Sequence, residues 1–138
     1  MKNLITPNSR LRLFEIWNKV KRGETLEGEE KTIGELLLQH AEFRQTWDTA
    51  DQLADKEFDA DDVNPFMHIT IDTIVMNQID QGTPIEVKQA YERLRAGGME
   101  HLDALHEIDR AFINELWPVL KHDKPFNEKR YKKKVQKL

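Results

Sequence analysis

Apolar residues recur every three or four positions along most of the chain, which is the spacing of one face of an α-helix. With the capping residues, prolines and glycines at the borders, this spacing predicts five helices. They cover about residues 9–21, 26–47, 65–80, 83–97 and 99–117 or 120. No segment alternates as a half-buried strand does. The predicted fold class is therefore all-α, an irregular bundle of four to five main helices in a single domain.

Several helix borders carry specific signals. Asn64 is a good N-cap and Pro65 suits the first helical position, so the third helix is expected to begin there. The run Thr83-Pro84-Ile85-Glu86 matches a capping box with proline at the first position. Pro118 removes a backbone hydrogen bond and crowds the preceding turn, so it is expected to bend or end the fifth helix.

Composition restricts the class of protein. A chain of 138 residues, 38% hydrophobic and 33% charged, fits one domain with one core. No apolar run is long enough to cross a bilayer, and residues 1–9 lack the apolar part of a secretory signal, so a cytoplasmic location is expected. The absence of cysteine excludes a disulfide framework, a thiolate nucleophile and a cysteine-based zinc site.

Charge is distributed unevenly along the chain. Residues 121–138 carry eight Lys or Arg against two Asp or Glu, whereas the first 120 residues carry 13 basic and 23 acidic side chains. The segment at about 48–63 holds seven acids and one lysine without periodicity, and it is predicted to be an acidic loop. The segment at about 125–138 is a basic C-terminal tail, a candidate for a short helix that packs through Phe126 and Tyr131.

Three of the predicted helices place a histidine on a partly apolar face. These histidines are His40, His68 and His106, and Asp72 and Asp109 follow the last two by about one turn. Buried polar groups need partners, and hydrogen-bonded pairs that fix helix register are the commoner arrangement. Helical bundles also build metal sites from such residues on facing helices, and nitrogen and oxygen ligands suit zinc, iron or manganese. The five residues are therefore candidate metal ligands, and none is assigned a catalytic role.

One other acidic pattern resembles a calcium-binding loop but lacks two of its residues. The alternating acids that start at Asp55 imitate the beginning of a calcium-binding loop. However, the sixth position is Ala60 instead of glycine, and the twelfth is Phe66 instead of glutamate. A calcium loop is therefore not predicted.

The order of several short runs resembles a known family. The runs are Leu26-x-Gly28-x-Glu30-Lys31, Gln39-His40-Ala41-Glu42-Phe43 and Asn64-Pro65-Phe66-x-His68. They resemble the bacterial domain of unknown function 1841 family, and the likeness extends over about residues 10–131. It implies a small helical bacterial protein of a family without an established biochemical role. The pattern includes His40, His68 and His106.

This sequence lacks a histidine of the family pattern at three positions, and Ala41 and Phe43 stand where the family often has proline and tyrosine. The resemblance implies a second histidine where Asp72 stands, another where Arg44 stands, and one four residues before His106, where the chain has Leu102. His101 is one residue out of step with that last position. Asp72 can still bind a metal, but Arg44 cannot. If the family binds a metal, the resemblance therefore implies a reduced or lost site in this member.

Three functions are compatible with these features. The first, leaning away from an enzyme, is a non-enzymatic interaction or structural role in which the acidic loop or the basic tail contacts a protein partner. The second is a metal-binding helical bundle, hydrolytic or redox, with zinc, iron or manganese as cofactor. The third is nucleic-acid binding through residues 129–134, which is disfavoured because phosphate would repel the acidic remainder of the chain. No membrane association is expected.

Overall fold

The structure is a computed structural model, and it describes residues 7–54, 56 and 64–138. The all-α prediction is confirmed, because the described residues form seven α-helices and no strand. The helices are α1 (Pro7–Lys21), α2 (Gly28–Gln39), α3 (Arg44–Asp48), α4 (Pro65–Gln81), α5 (Ile85–Ala96), α6 (His101–His122) and α7 (Glu128–Gln136), with a 3-10 turn at Ala41–Phe43. The short helices α3 and α7 raise the number above the four to five predicted. Half of the predicted acidic loop, at residues 55 and 57–63, lies outside the described residues.

The chain divides into two compact units, and the boundary between Thr73 and Ile74 falls inside α4. The N-terminal unit contains α1, α2, α3 and the first half of α4. The C-terminal unit contains the second half of α4 with α5, α6 and α7. That the whole chain is a single domain remains a prediction.

The N-terminal unit is built from the apolar stripes of its helices, since α1, α2 and α3 contact one another. Its buried apolar side chains are Leu13, Ile16, Trp17, Ile33, Leu36, Leu37, Trp47, Ala50, Phe66, Ile69 and Ile71. Gly34 lets α2 approach its neighbours closely. A Cβ atom at this position would lie 2.8 Å from Leu26 Cδ1 and 3.0 Å from Val20 Cγ2. A larger residue at this position would require the Leu26 and Val20 side chains to shift, so packing offsets part of the helix penalty of the glycine.

One polar side chain, that of Arg10, holds the N-terminal unit across long sequence distances. The Arg10 guanidinium donates to the carbonyl oxygens of Leu53 and Lys56, at 2.7 and 2.6 Å. It also lies 4.7 Å from the centre of the Phe66 ring, which is cation–π geometry. Arg10 thereby connects α1 both to the turn after α3 and to the first turn of α4.

The prediction of one continuous helix over residues 26–47 is wrong. Helix α2 ends at Gln39, a 3-10 turn follows, and α3 starts at Arg44. His40 stands at the break with φ −101° and ψ 59°, outside the helical region. His40 and Arg44 therefore belong to different segments instead of sharing one helical stripe.

The C-terminal unit packs α5, α6 and α7 against one another. Its buried apolar side chains are Val75, Ile79, Val87, Ala90, Ala104, Leu105, Ile108, Ala111, Phe112, Leu116, Val119, Tyr131 and Val135. The basic tail forms α7. The Tyr131 ring lies 5.5 Å from Phe112 and 5.7 Å from Phe126, centre to centre, and its hydroxyl donates to Gln78 Oε1 at 2.7 Å.

A buried carboxylate anchors α7 to α6. Both oxygens of Glu115 accept hydrogen bonds from Arg130 Nε, at 2.8 and 2.9 Å, and Lys134 Nζ lies 2.6 Å from Oε1. The guanidinium of Arg93, on α5, donates to the carbonyl oxygens of Val135 and Leu138 near the end of α7. Part of the tail's positive charge is therefore used inside the protein.

Two predictions about helix borders in this unit need correction. Helix α6 continues through Pro118 to His122, so the proline does not end it. The Pro118 carbonyl still accepts the backbone N–H of Asp123, which closes the helix in the left-handed region at φ 56°. Thr83 is not the N-cap of α5. Pro84 takes that place with extended ψ of 147° and no side-chain cap, so the helix starts one residue later than the capping box predicts.

None of the helices in the described ranges combines the length and the apolar character that crossing a bilayer requires.

Replacing Asn64 is expected to weaken the start of α4. The Asn64 side chain caps two backbone N–H groups, and its loss in Asn64→Ala should lower the free energy of unfolding by about 1 kcal/mol. Urea denaturation would measure the change. Asn64→Asp keeps the cap oxygen and should retain most of the stability. Equal losses in the two variants would contradict the capping role.

Replacing Glu115 is expected to alter both stability and its dependence on pH. Burial raises the pKa of Glu115, but the hydrogen bonds from Lys134 and Arg130 outweigh it, and the pKa lies below the ordinary value of 4.5. A lowered pKa contributes stability above that ordinary value, and the contribution is lost as the pH falls through the folded-state pKa. Glu115→Gln should lower the free energy of unfolding by about 1–3 kcal/mol at neutral pH and by less in acid.

Urea denaturation at neutral pH and at about pH 4 would measure both effects of Glu115→Gln. Glu107→Gln is a matched control on the same helix, because Glu107 pairs at 3.0 Å with the highly exposed Arg110. The control should have little effect at either pH. A loss for Glu115→Gln that is the same at both pH values would contradict the role of its lowered pKa.

Candidate metal centre

The first turn of α4 is fixed by its cap. The backbone N–H groups of Phe66 and Met67 donate to Asn64 Oδ1, each at 3.1 Å, and Pro65 is the first helical residue. This confirms the start predicted from the sequence. His68 lies in the resulting first turn and Asp72 follows one turn later on the same face. The helix therefore presents an imidazole and a carboxylate side by side.

The end of α2 fixes the third polar side chain, His40. Its backbone N–H donates to the carbonyl oxygen of Leu36 at 3.1 Å, and its ring Nδ1 lies 2.8 Å from the same oxygen. A carbonyl oxygen only accepts, so Nδ1 carries a proton and donates it. In the neutral ring the lone pair is then on Nε2. The helix end thus sets both the orientation and the tautomer of His40.

Three donor atoms converge in the N-terminal unit. His40 Nε2 lies 3.0 Å from His68 Nε2 and 3.2 Å from Asp72 Oδ2, and His68 Nε2 lies 3.3 Å from the same oxygen. Side-chain exposure is 2% for His40, 0% for Asp72 and 31% for His68. The cluster is therefore buried on the side of His40 and Asp72 and reaches the surface at His68.

A positive charge at the centre of these contacts would stabilise them. If both rings were neutral, the Nε2 lone pair of His40 would face the carboxylate oxygen of Asp72, since Nδ1 holds the only ring proton. A proton on His68 Nε2 can be donated to His40 Nε2 or to Asp72, and it satisfies one contact at a time. Either a further proton or a cation can satisfy the cluster.

The pKa of His68 reflects this environment. The hydrogen bond to Asp72 raises it, partial burial lowers it by a smaller amount, and the negative charges of Asp72 and Glu42 raise it further. The net shift is upward from the ordinary value of 6.5. Without a metal, the cluster therefore favours a His68 imidazolium beside the Asp72 carboxylate.

The spacing of the three atoms also fits a metal ion. Bonds of about 2.0–2.2 Å at angles between octahedral and tetrahedral separate neighbouring ligand atoms by about 2.9–3.5 Å. The observed separations of 3.0, 3.2 and 3.3 Å fall inside that range. The hydrogen bond from His40 Nδ1 to a backbone carbonyl is the outer contact that metal-binding histidines usually make. The donor set of two imidazoles and one carboxylate suits zinc, iron or manganese.

An aromatic ring borders the cluster. The Phe43 ring is nearly parallel to the His40 ring, at 6.3 Å between centres and 10° between planes. It is tilted toward the His68 ring at 6.2 Å. Phe43 is half-buried, so it forms an apolar wall beside His68, the most exposed residue of the cluster.

The remaining sequence-predicted residues lie in the C-terminal unit. His106 is half-buried on α6, and Asp109 is buried one turn later. Burial raises the pKa of Tyr131, and the Asp109 carboxylate raises it further. His101 Nδ1 lies 2.7 Å from the Tyr91 hydroxyl. Of the five candidate ligands, the N-terminal unit brings together His40, His68 and Asp72, and the roles of His106 and Asp109 stay predictions.

Two features of the site were missed by the sequence analysis. One is the Leu36 carbonyl, which orients His40 because α2 ends there. The sequence offers one signal for this contact, which is that Leu36 lies four residues before His40. The other is Phe43, which the apolar pattern assigns to the core.

The sequence profile of the family described as domain of unknown function (DUF1841) matches residues 6–137. The chain belongs to the DUF1841 family. This confirms the resemblance found from the sequence. No curated protein and no solved structure is similar enough to the chain to count as a match.

Titration of His68 in the metal-free protein should follow its upward pKa shift. Its ring proton signals, observed by NMR, should titrate above 6.5, and Asp72→Asn should lower the midpoint because it removes the main cause. A raised pKa stabilises the fold below 6.5, and this contribution declines as the pH rises through the folded-state pKa. Glu42→Gln should lower the midpoint by less. A wild-type midpoint at or below 6.5 would contradict the contact with Asp72.

Proposed function

We propose that this DUF1841 protein binds one divalent transition-metal ion through His40 Nε2, His68 Nε2 and Asp72 Oδ2. The observation that carries the proposal is the triangle of donor atoms with sides of 3.0, 3.2 and 3.3 Å. A cation at the centre of this triangle would be within bonding distance of all three atoms at once. The fixed tautomer of His40 supports the same function, because it directs a lone pair to the place where the ion would lie.

The donor set limits the class of metal. Two imidazole nitrogens and one carboxylate oxygen, without sulfur, suit zinc, iron and manganese better than copper(I) or an iron–sulfur cluster. His106 is proposed as a further ligand on the strength of the family pattern and its position on a partly apolar helix face. Asp109 is a weaker candidate, because its carboxylate already acts on the buried Tyr131 hydroxyl, whose pKa it raises.

An interaction role remains a second prediction with less support. Five of the seven acids in the segment that would form one contact surface lie outside the described residues. In the basic tail, Arg130 and Lys134 are engaged by Glu115. Nucleic-acid binding through the tail is weakened for the same reason, since fewer lysines and arginines remain for phosphate. A cytoplasmic location is proposed from the sequence alone.

Metal loading would test the proposed function. The protein, purified without an affinity tag and treated with a chelator, should bind one Zn²⁺, Mn²⁺ or Fe²⁺ ion per chain in calorimetry, with elemental analysis confirming the stoichiometry. At a free concentration one hundred times Kd, the ion should raise the free energy of unfolding by about 2.7 kcal/mol. Absence of stoichiometric binding by all three metals would refute the proposal.

Ligand variants locate the ion. His68→Ala should weaken binding by more than the roughly 10–100-fold that loss of an outer contact costs. Asp72→Asn should do the same while keeping the side-chain shape. His122→Ala is the matched control, because His122 is exposed at the end of α6. His106→Ala should weaken binding if that residue is a ligand. Unchanged affinity in His68→Ala, with circular dichroism showing a folded protein, would exclude this site.

A further inference from the structure

The three donor atoms can occupy only one side of a bound ion. Their triangle has sides of 3.0, 3.2 and 3.3 Å, so an ion at bonding distance from each would stand about 1 Å out of the plane of the three atoms. This is the facial arrangement of two histidines and one carboxylate. The opposite side of the coordination sphere remains for other donors.

The exposure of the three side chains indicates which part of the cluster faces solvent. His40 and Asp72 are almost completely buried, at 2% and 0%, whereas His68 is 31% exposed. Solvent therefore reaches the cluster from the direction of His68. The half-buried Phe43 ring, 6.2 Å from the His68 ring, borders this approach with an apolar surface.

The charge of the ligand set selects the class of exchangeable ligand. A divalent ion with one carboxylate and two neutral imidazoles carries a net charge of about +1 in a partly desolvated place. Such a site attracts small anions. Glu42, whose negative charge acts on His68, is exposed, so water and salt screen it.

We propose that an ion held by His40, His68 and Asp72 keeps a coordination position open toward His68 and Phe43, and that this position exchanges water for a small anion. The inference rests on the proposed metal binding and adds to it the accessibility that separates catalytic from closed structural metal sites. Phe43 is a positioning residue here, because it shapes the approach and supplies no ligand atom.

Substitution with Co²⁺ would test the inference, using azide as the probe anion. The visible spectrum of the Co²⁺-loaded protein should change saturably as azide is added, which reports an anion entering the coordination sphere. Co²⁺ that binds stoichiometrically and gives a spectrum insensitive to azide would overturn the open position and leave the proposed function standing. Failure of the protein to bind Co²⁺, Zn²⁺, Mn²⁺ or Fe²⁺ would refute both.

A second variant tests the position of the opening. Phe43→Ala should change azide affinity several-fold while Co²⁺ affinity stays within about twofold, because the ring touches no ligand bond. Leu38→Ala is the matched control, an exposed apolar residue near the end of α2, and it should change neither affinity. Azide affinity that is equal in wild type and Phe43→Ala would overturn the assignment of the opening to this side.

Discussion

The carboxylate of Asp72 has no exposed surface, and the polar architecture of the N-terminal unit is arranged around its charge. Burying a carboxylate is costly unless protons or a cation compensate it. Two imidazoles reach the same oxygen from different segments of the chain, one from the preceding turn of α4 and one from the end of α2. The cap at Asn64 positions the His68 ring near Asp72, and the helix end at Gln39 positions the His40 ring near the same carboxylate.

The geometry admits two ways of meeting that demand for charge. A proton on His68 gives a buried ion pair, which explains why the pKa of His68 is raised. A metal ion gives the same compensation while bonding to all three atoms. Both states would use the same contacts, so protons and metal ions would compete for the cluster. The hydrogen bond from His40 Nδ1 to Leu36 is kept in both states, and it leaves Nε2 as the ring atom that would take up either the proton or the ion.

The parts of the fold that depend on local signals could be predicted from the sequence. The cap at Asn64, the helix after it and the pair at positions 68 and 72 follow from residues within one or two turns. The break at His40 could not be predicted, because it depends on a bond between a side chain and the Leu36 carbonyl. The apolar spacing continues across this break without a sign of it. Pro118 is the opposite case. Its local signal predicts that the helix bends or ends there, but α6 continues through Pro118 to His122.

The candidate site was predicted in part for the same reason. Helix periodicity identified His68 and Asp72 as neighbours, but it placed His40 on a stripe with Arg44 that does not exist. Gly34 shows a similar limit. The sequence reveals only its helix penalty, whereas its value comes from the approach of Leu26 and Val20, which lie outside α2.

The positions of the three site residues along the chain have a consequence for folding. His40 and His68 are 28 residues apart, and an ion between them would join the two ends of the segment 41–67. Such a link acts as a reversible cross-link, which restricts the unfolded chain in the way that a metal clip or a disulfide does. The acidic stretch lies inside this segment. Metal availability would then change how strongly the unfolded chain is restricted between residues 41 and 67.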